Sequence, residues 1–445
     1  MNSWVKQNLL GKCGLFALAF LFVMSVSQRG AAASPNESTE SDEPSRTVIT
    51  GTTMGPIPFS VVITNDENTP DENQLAKLVD EQLEHVNQLM STYKEDSDVS
   101  RFNRAQANEW VDVHPDTVAV VARSLEISEL TDSAFDITVG PAVLLWNFGP
   151  AKDKKFAVPS DQELKKVRAI VGWKKLEVRN DPPAIRKLNE GVQIDLSAIA
   201  KGYAVDRVAK ALAEVDCNNL LVEVGGEVVA KGTPAGKPHW RVGVEKPQKG
   251  FSRDIEEVAE LSNAGMATSG DYRNFKIKDG KKYSHTIDPS SCEPALNRLA
   301  TVCVVAADCM TADALATGLM VMGEEKAWEF CMSNGIPVLL MARTSSDPLQ
   351  PDQFKKRISD DFPLARAVED TETAAQESAV AKIIPVFIGT VIVFALAILG
   401  MAAGAIFGNK QLQGSCGGLA AMGARDGETS CQICENPVTD CKETA

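Results

Sequence analysis

The sequence lacks an excess of positive charge. Its 45 lysines and arginines stand against 60 aspartates and glutamates, so the 445-residue chain carries a formal charge of −15 at pH 7. Because phosphate backbones select basic surfaces, this balance argues against nucleic acid as a partner. An anionic small-molecule substrate would need a metal ion to offset the charge. Hydrophobic residues at 44% and charged residues at 24% are an ordinary globular balance, which excludes a disordered chain.

The body of the chain also lacks the cysteine spacing of a disulfide framework. Several of its cysteines lie in apolar, strand-like runs such as TVCVVAADC, where a small buried hydrophobic residue is the expected role. The number is odd, and no spacing supports a disulfide. The five residues are Cys217, Cys292, Cys303, Cys309 and Cys331.

The N-terminus has the features of an export signal. Lys6 and Lys12 precede the apolar stretch GLFALAFLFVMSVS, and Ala31-Ala32-Ala33 provides a small-residue cleavage site before Ser34. We predict a signal peptide at residues 1–33, with an uncleaved anchor as the alternative, and a polar linker at residues 34–47.

A second apolar stretch, residues 383–407, contains no charged residue and is long enough to span a bilayer as a helix. A polar linker at residues 368–382 precedes it. Lysines and arginines flank both ends, so the topology depends on the export signal. We expect a bacterial inner-membrane protein with one transmembrane helix, an exported, periplasmic body at residues 48–367 and a cytoplasmic tail at residues 408–445.

The body alternates between strand and helix signals, which indicates an α+β fold. TVITGTTMGPIPFSVVI predicts paired short strands, and NQLAKLVDEQLEHVNQLMSTY has apolar residues at helical spacing. VQIDLSAIAKGYAVD predicts a short strand leading into a helix, with Asp195, Ser197 and Lys201 near its N-terminus, a favourable place for a phosphate. VEVGGE predicts a strand that breaks at its glycines, and ATSGD a hydroxyl-rich turn.

The stretch DCMTADALATGL carries the sharpest chemical signal. Asp313 and Thr317 are four residues apart in a predicted helix, so their oxygens face the same side, as Mg²⁺ ligands could. A helix-start aspartate with a threonine that bonds its own backbone is the plainer alternative. His285, one of only four histidines, lies among polar residues, although an isolated histidine is more often structural than catalytic.

An ordered set of motifs resembles the ApbE family, the FAD:protein FMN transferases. The set covers residues 48–343 and comprises MGPIPFS, STYKEDSDVSRFN, FDITVGPAVLLWNFGP, IDLSAIAKGYAVD, VEVGGE, ATSGDYRNF, HTIDP and ADALATGL. The resemblance implies an exported α+β domain with mixed or antiparallel sheets. It also implies Mg²⁺-dependent transfer of FMN from FAD to a threonine or serine of a target protein, with release of AMP.

The resemblance assigns roles to particular residues. It implies catalytic roles for His285, which would deprotonate the acceptor hydroxyl, and for Asp313. It implies that Asp313, Thr317 and the backbone oxygen of Ala198 hold Mg²⁺. Cys292 departs from the family, which usually has glycine in this turn. The residues expected to contact FAD are Met54, Tyr93, Ala134, Phe135, Asp136, Asp195, Lys201 and Ile287.

The tail contains four close-set thiols, Cys416, Cys431, Cys434 and Cys441. Their spacing fits a tetrathiolate metal site, with zinc as the first choice, or a redox dithiol. However, residues 383–442 resemble NqrM, the maturation factor of the sodium-translocating NADH:quinone reductase. That resemblance implies iron in place of zinc. It also implies reductase subunits as flavin acceptors, because they carry FMN esterified to threonine.

Two other functions remain open at this stage. The same metal site could hydrolyse FAD to FMN and AMP without a protein acceptor. A non-catalytic assembly factor that binds flavin and metal is the second alternative, although the joint presence of Asp195, His285, Asp313 and Thr317 speaks against it.

Overall fold

The computed structural model describes residues 45–149, 156–247, 254–345 and 353–365. The chain divides into two units, residues 1–365 and 366–445, and every described residue belongs to the first. The predicted signal peptide, transmembrane helix and cysteine tail therefore lie outside the described residues. Within the described ranges, no helix combines the length and the apolar character needed to cross a membrane.

Helices and strands alternate along the described residues, as the sequence predicts. The helices are α1 (Glu72–Met90), α2 (Asp98–Arg104), α3 (Pro115–Leu130), α4 (Gly140–Leu145), α5 (Asp161–Ile170), α6 (Ala200–Ala213), α7 (Cys309–Met322) and α8 (Glu324–Asn334), with short 3-10 helices at Ile137–Val139 and Trp173–Lys175. The strands are β1 (Arg46–Thr53), β2 (Ile57–Thr64), β3 (Val111–Asp112), β4 (Leu176–Arg179), β5 (Ala184–Lys187), β6 (Leu220–Val224), β7 (Glu227–Lys231), β8 (Trp240–Glu245), β9 (Ile255–Leu261), β10 (Ala264–Gly270), β11 (Phe275–Lys278), β12 (Lys281–Ser284), β13 (Ile287–Asp288), β14 (Glu293–Pro294), β15 (Leu299–Ala306), β16 (Val338–Arg343) and β17 (Phe354–Ile358).

The central element is an eight-stranded sheet in the order β1-β2-β6-β7-β10-β15-β16-β17. Its neighbouring strands pair antiparallel throughout. The predicted paired strands are β1 and β2, which are joined by a tight turn with Met54 and Gly55 at positive φ. Smaller sheets pair β3-β5-β4, β8-β9, β11-β12 and β13-β14. The α+β fold is therefore confirmed, and the sheets of the described chain are antiparallel.

Helices cover one face of the central sheet. Helix α1 begins at the cap Asp71, whose carboxylate accepts the N–H groups of Asn73 and Gln74. Its buried residues, Leu75, Val79, Leu83, Val86 and Met90, recur at three- and four-residue intervals. They join the main hydrophobic core together with α6 and α7. The β8–β9 hairpin covers the other face, where Trp240 and Leu261 pack against Met266 and Leu339.

Helices α6 and α7 meet at unusually close range. A Cβ on Gly202 would lie 2.3 Å from the carbonyl oxygen of Cys309, so only glycine fits at this contact. The Asp206 carboxylate, one turn along α6, accepts the backbone N–H groups of Cys309 and Met310 at 3.0 and 2.8 Å. Asp308 caps the N-terminus of α7, where its carboxylate accepts the backbone N–H of Thr311. These contacts fix the start of α7 against α6.

Two local predictions are wrong. Residues 192–196 form no strand, because Ile194 pairs through its N–H and carbonyl with the Asn103 side chain, at 2.8 and 2.9 Å, and not with another strand. Helix α6 accordingly begins at Ala200, after Asp195 and Ser197. Thr268 and Ser269 form no turn but lie in β10, paired with β15.

The cysteines of the body match their prediction. All five are free and buried. Cys292 has a φ of 55°, in the left-handed region that favours glycine, the residue that the ApbE resemblance leads us to expect in this turn. The backbone oxygen of Cys292 accepts the indole N–H of Trp146 at 2.9 Å, which ties this turn to a small apolar cluster.

Candidate active site

A cleft of about 1320 Å³ opens beside the central sheet, large enough for a dinucleotide. Residues from the β1–β2 turn, the ends of β6 and β10, and helices α6 and α7 line it. The structure brings every predicted site residue of the body into this one cleft. They are Met54, Tyr93, Ala134, Phe135, Asp136, Asp195, Ala198, Lys201, His285, Ile287, Asp313 and Thr317.

Helix α7 places Asp313 and Thr317 on the same wall of the cleft. Asp313 is only 3% exposed, and its Oδ2 accepts the backbone N–H of Gly202 at 3.0 Å. Burial raises the pKa of the Asp313 carboxyl. Thr317 Oγ1 lies 3.3 Å from Ser269 Oγ on β10. Because Asp308 provides the helix cap, Asp313 is not the helix-start residue of the plainer interpretation.

These side chains fit a hard divalent cation. A buried carboxylate and a hydroxyl, one helical turn apart and with Ser269 nearby, form an all-oxygen donor set of the kind that Mg²⁺ prefers. Ala198, whose backbone oxygen is the third predicted ligand, lines the same cleft. Asp313 Oδ1 is 3.7 Å from the Lys201 ammonium.

Lys201 lies between two buried carboxylates. Its Nζ is 2.5 Å from Glu227 Oε1 and 3.7 Å from Asp313 Oδ1. Burial opposes the charged lysine, but the attraction of Asp313 and Glu227 outweighs it, so the pKa of Lys201 is raised. Burial has the opposite effect on the carboxyl group of Glu227 and raises its pKa. The ammonium is thus a fixed positive charge in the lining of the cleft.

His285 also lines the cleft. Its Nδ1 is 3.0 Å from the carbonyl oxygen of Asn274, which can only accept, so Nδ1 carries the proton and Nε2 is left as a proton acceptor. Burial lowers the pKa of the imidazole. The ring is therefore neutral at pH 7 and able to take up a proton at Nε2.

The predicted flavin contacts differ in what their side chains can offer. Tyr93 is 63% exposed at the cleft, with its ring open to a ligand. Asp136, by contrast, already accepts hydrogen bonds from Thr138 and from the backbone N–H of Trp173. Phe135 is buried in the main core. Asp136 and Phe135 therefore shape the wall of the cleft, and a ligand would meet mainly their backbone.

Two cleft residues were missed by the sequence prediction. Glu227 is the last residue of the VEVGGE motif and Ser269 lies within ATSGD, but neither is among the site residues predicted from the sequence. An acidic residue directly after a glycine pair was the available signal for Glu227. No sequence signal shows that Ser269 faces Thr317, because this depends on how β10 packs against α7.

Comparison with known proteins explains this arrangement. Residues 54–340 match the sequence model of the ApbE family. The chain belongs to the ApbE family. It is 40% identical to the FAD:protein FMN transferase of Vibrio cholerae over 71% of this chain and 91% of that protein. It is 39% identical to the Haemophilus influenzae protein of the same name, over 67% and 87%.

Solved structures of ApbE proteins share the fold. The flavin transferase ApbE from Vibrio cholerae superimposes with a TM-score of 0.65 at 39% identity, covering 72% of this chain and 99% of that one. The apo flavinyl transferase ApbE of Pseudomonas stutzeri gives a TM-score of 0.64 at 33% identity, with 72% and 96% coverage. The ApbE resemblance predicted from the motifs is thus confirmed.

The tail matches a second family. Residues 405–444 match the sequence model described as (Na+)-NQR maturation NqrM. This confirms the resemblance drawn from the cysteine spacing. The matched residues lie outside the described part of the structure, so the arrangement of the four cysteines stays a prediction.

Proposed function

We propose that this ApbE protein transfers FMN from FAD to a threonine or serine hydroxyl of a protein acceptor, in a Mg²⁺-dependent reaction that releases AMP. The observation that carries the proposal is the convergence in one cleft of a buried carboxylate, a hydroxyl, a charged lysine and a neutral histidine. The two relatives named FAD:protein FMN transferase, which this chain covers over 91% and 87% of their length, support the same activity.

Each of the cleft residues has a separate role in the proposed reaction. The acceptor oxygen forms a bond to the flavin-side phosphorus of FAD, the bond from that phosphorus to the bridging oxygen breaks, and AMP departs with the electron pair. His285 Nε2 takes the proton of the hydroxyl as the new bond forms. Lys201 holds positive charge near the reacting phosphates. Mg²⁺ on Asp313, Thr317 and the Ala198 carbonyl would offset the pyrophosphate charge.

Product analysis distinguishes the candidate activities. The protein is incubated with FAD, Mg²⁺ and a threonine-containing acceptor, and covalent flavin, free FMN and AMP are measured. Covalent flavin in equal amount to AMP supports the transferase. Free FMN and AMP without covalent flavin would instead identify an FAD pyrophosphatase. Flavin binding without either product would identify a non-catalytic assembly factor.

We further propose that subunits of the sodium-translocating NADH:quinone reductase are the acceptors, and that Cys416, Cys431, Cys434 and Cys441 handle iron for the same complex. The NqrM match at residues 405–444 supports both parts. The proposed topology has the transferase domain in the periplasm, one transmembrane helix at residues 383–407 and a cytoplasmic tail.

Two measurements test this assignment. Mass spectrometry of a co-expressed reductase subunit should find FMN on a threonine only when this protein is present. Anaerobic Fe²⁺ titration of the full-length chain should show binding that is lost when the four tail cysteines are replaced by serine. An unmodified subunit would refute the acceptor, and unchanged Fe²⁺ binding would refute the role of the cysteines.

A further inference from the structure

Glu227 is a buried acid whose position the proposed reaction leaves unexplained. It is the first residue of β7 and follows Gly225 and Gly226, which turn the chain with φ values of 62° and 106°. The side chain is 3% exposed. Oε1 contacts Lys201 Nζ at 2.5 Å, while Oε2 is buried without a hydrogen-bond partner among the described residues. Leaving one carboxylate oxygen unpaired is costly, so a benefit elsewhere is expected.

The benefit lies in where Glu227 holds the lysine. Lys201 Nζ is 1.2 Å farther from Asp313 Oδ1, at 3.7 Å, than from Glu227 Oε1, at 2.5 Å. An ammonium and a divalent cation are competitors for the same carboxylate oxygen. With nothing to hold it, a flexible lysine would close on Asp313, because a buried carboxylate strongly favours a charged partner.

We propose that Glu227 is a positioning residue for the metal site: it holds the Lys201 ammonium away from Asp313, so that the Asp313 carboxylate stays available to a divalent cation. This inference rests on the proposed Mg²⁺ site. It gives Glu227, the last residue of the VEVGGE motif, a role that is separate from contact with flavin. It also explains why Glu227 and Asp313 share Lys201. If Asp313 alone paired with the lysine, its charge would be neutralised and it would be a poorer metal ligand.

Metal affinity in a double-mutant cycle tests the proposal. Mn²⁺, which favours the same oxygen ligands as Mg²⁺, is titrated into the full-length chain at mildly alkaline pH, and free Mn²⁺ is measured by electron paramagnetic resonance. The cycle comprises wild type, Glu227→Gln, Lys201→Met and the double variant. Asp313→Asn defines the binding that belongs to this site. Glu214→Gln, at the exposed C-terminal end of α6 and outside the cleft, is the control for loss of one negative charge.

Glu227→Gln is expected to weaken Mn²⁺ binding about tenfold, the scale on which residues behind a metal ligand act. In the Lys201→Met background the same change should alter the affinity less than about twofold, because the competing ammonium is gone. Glu214→Gln should stay within about twofold of wild type. Circular dichroism and thermal melting verify that each variant is folded.

Three results would overturn the proposal. Unchanged affinity in Glu227→Gln would show that the residue does not influence the metal site. An equal loss in both backgrounds would show that Glu227 itself binds the cation. Lys201→Met provides a test that does not depend on the folding of a Glu227 variant: about tenfold weaker binding would show that the lysine supports the metal and does not compete with it. If Asp313→Asn binds Mn²⁺ as well as wild type does, the metal site itself is wrong.

Discussion

Replacing Gly202 by alanine should damage the active site from within the fold. The added Cβ would lie 2.3 Å from the Cys309 oxygen, 2.7 Å from its carbonyl carbon and 2.8 Å from Met310 Cα. All three are backbone atoms, so no side chain can rotate away. Relieving the overlap requires α6 and α7 to separate by about 1 Å. The hydrogen bond from the Gly202 N–H to Asp313 Oδ2, 3.0 Å long, would be lost.

The size of the effect follows from these contacts. Overpacking costs about 1 to 3 kcal/mol, and loss of a hydrogen bond to a carboxylate about 1.5 to 3 kcal/mol. Alanine regains about 1 kcal/mol as the better helix former. We therefore expect the free energy of unfolding to fall by about 1.5 to 5 kcal/mol. The transfer rate should fall about 100-fold, because Asp313 shifts with its helix.

Chemical denaturation and initial rates of covalent flavin formation, measured across Mg²⁺ concentrations, check both effects. Gly318→Ala is the matched control, since this glycine lies inside α7 and the nearest neighbours of its added Cβ, Phe135 and Thr131, are 3.2 Å or more away. The control should keep a rate within about threefold of wild type. If Gly202→Ala has wild-type stability and rate, the packing of α6 against α7 does not position Asp313.

Other predictions address the base, the metal and a buried ion pair. His285→Gln should lower kcat about 100-fold without changing the affinity for FAD. Because burial lowers the pKa of His285, the wild-type rate should fall only when the pH drops below the usual histidine pKa of about 6.5. A rate that already falls above that pH would exclude His285 as the base. A chelator should abolish transfer and added Mg²⁺ restore it; full activity after chelation would contradict the metal requirement. Arg343→Met removes two 2.7 Å hydrogen bonds from the buried Asp271 carboxylate, which keeps its 2.9 Å contact with Lys282 Nζ, and should cost about 2 kcal/mol of stability in urea denaturation. Lys77→Met, which breaks an exposed pair, should cost less than about 0.5 kcal/mol, and equal losses would refute the buried-pair argument.

The spacing of apolar residues and glycines predicted helices and turns correctly where the packing of the fold follows that spacing. The period of Leu75, Val79, Leu83 and Val86 places α1, and the glycine pair 225–226 places the turn between β6 and β7. Local pattern was misleading at residues 192–196. There the alternation looks like a strand, but the hydrogen-bond partner of Ile194 is the side chain of Asn103, 91 residues away in sequence. No short-range rule contains that pairing.

In the active site, too, some residues were predictable from the sequence and others were not. Motif order and the ApbE resemblance brought together residues from six separate stretches, and the structure places all of them in one cleft. The residues that hold them in place were less accessible from sequence. Asp206 accepts two backbone N–H groups of α7 and Glu227 holds Lys201, yet both depend on contacts between elements about 100 and 26 residues apart. Their roles became visible only with the packing of α6.

The most direct test of the account is the intact mass of a protein acceptor after incubation with FAD, Mg²⁺ and either wild-type protein or Asp313→Ala. The account predicts one FMN adduct on the acceptor with wild type and none with Asp313→Ala, while circular dichroism shows both proteins folded. The same adduct, formed at the same rate by the variant, would contradict the central claim that the Asp313 carboxylate in this cleft is required for flavin transfer.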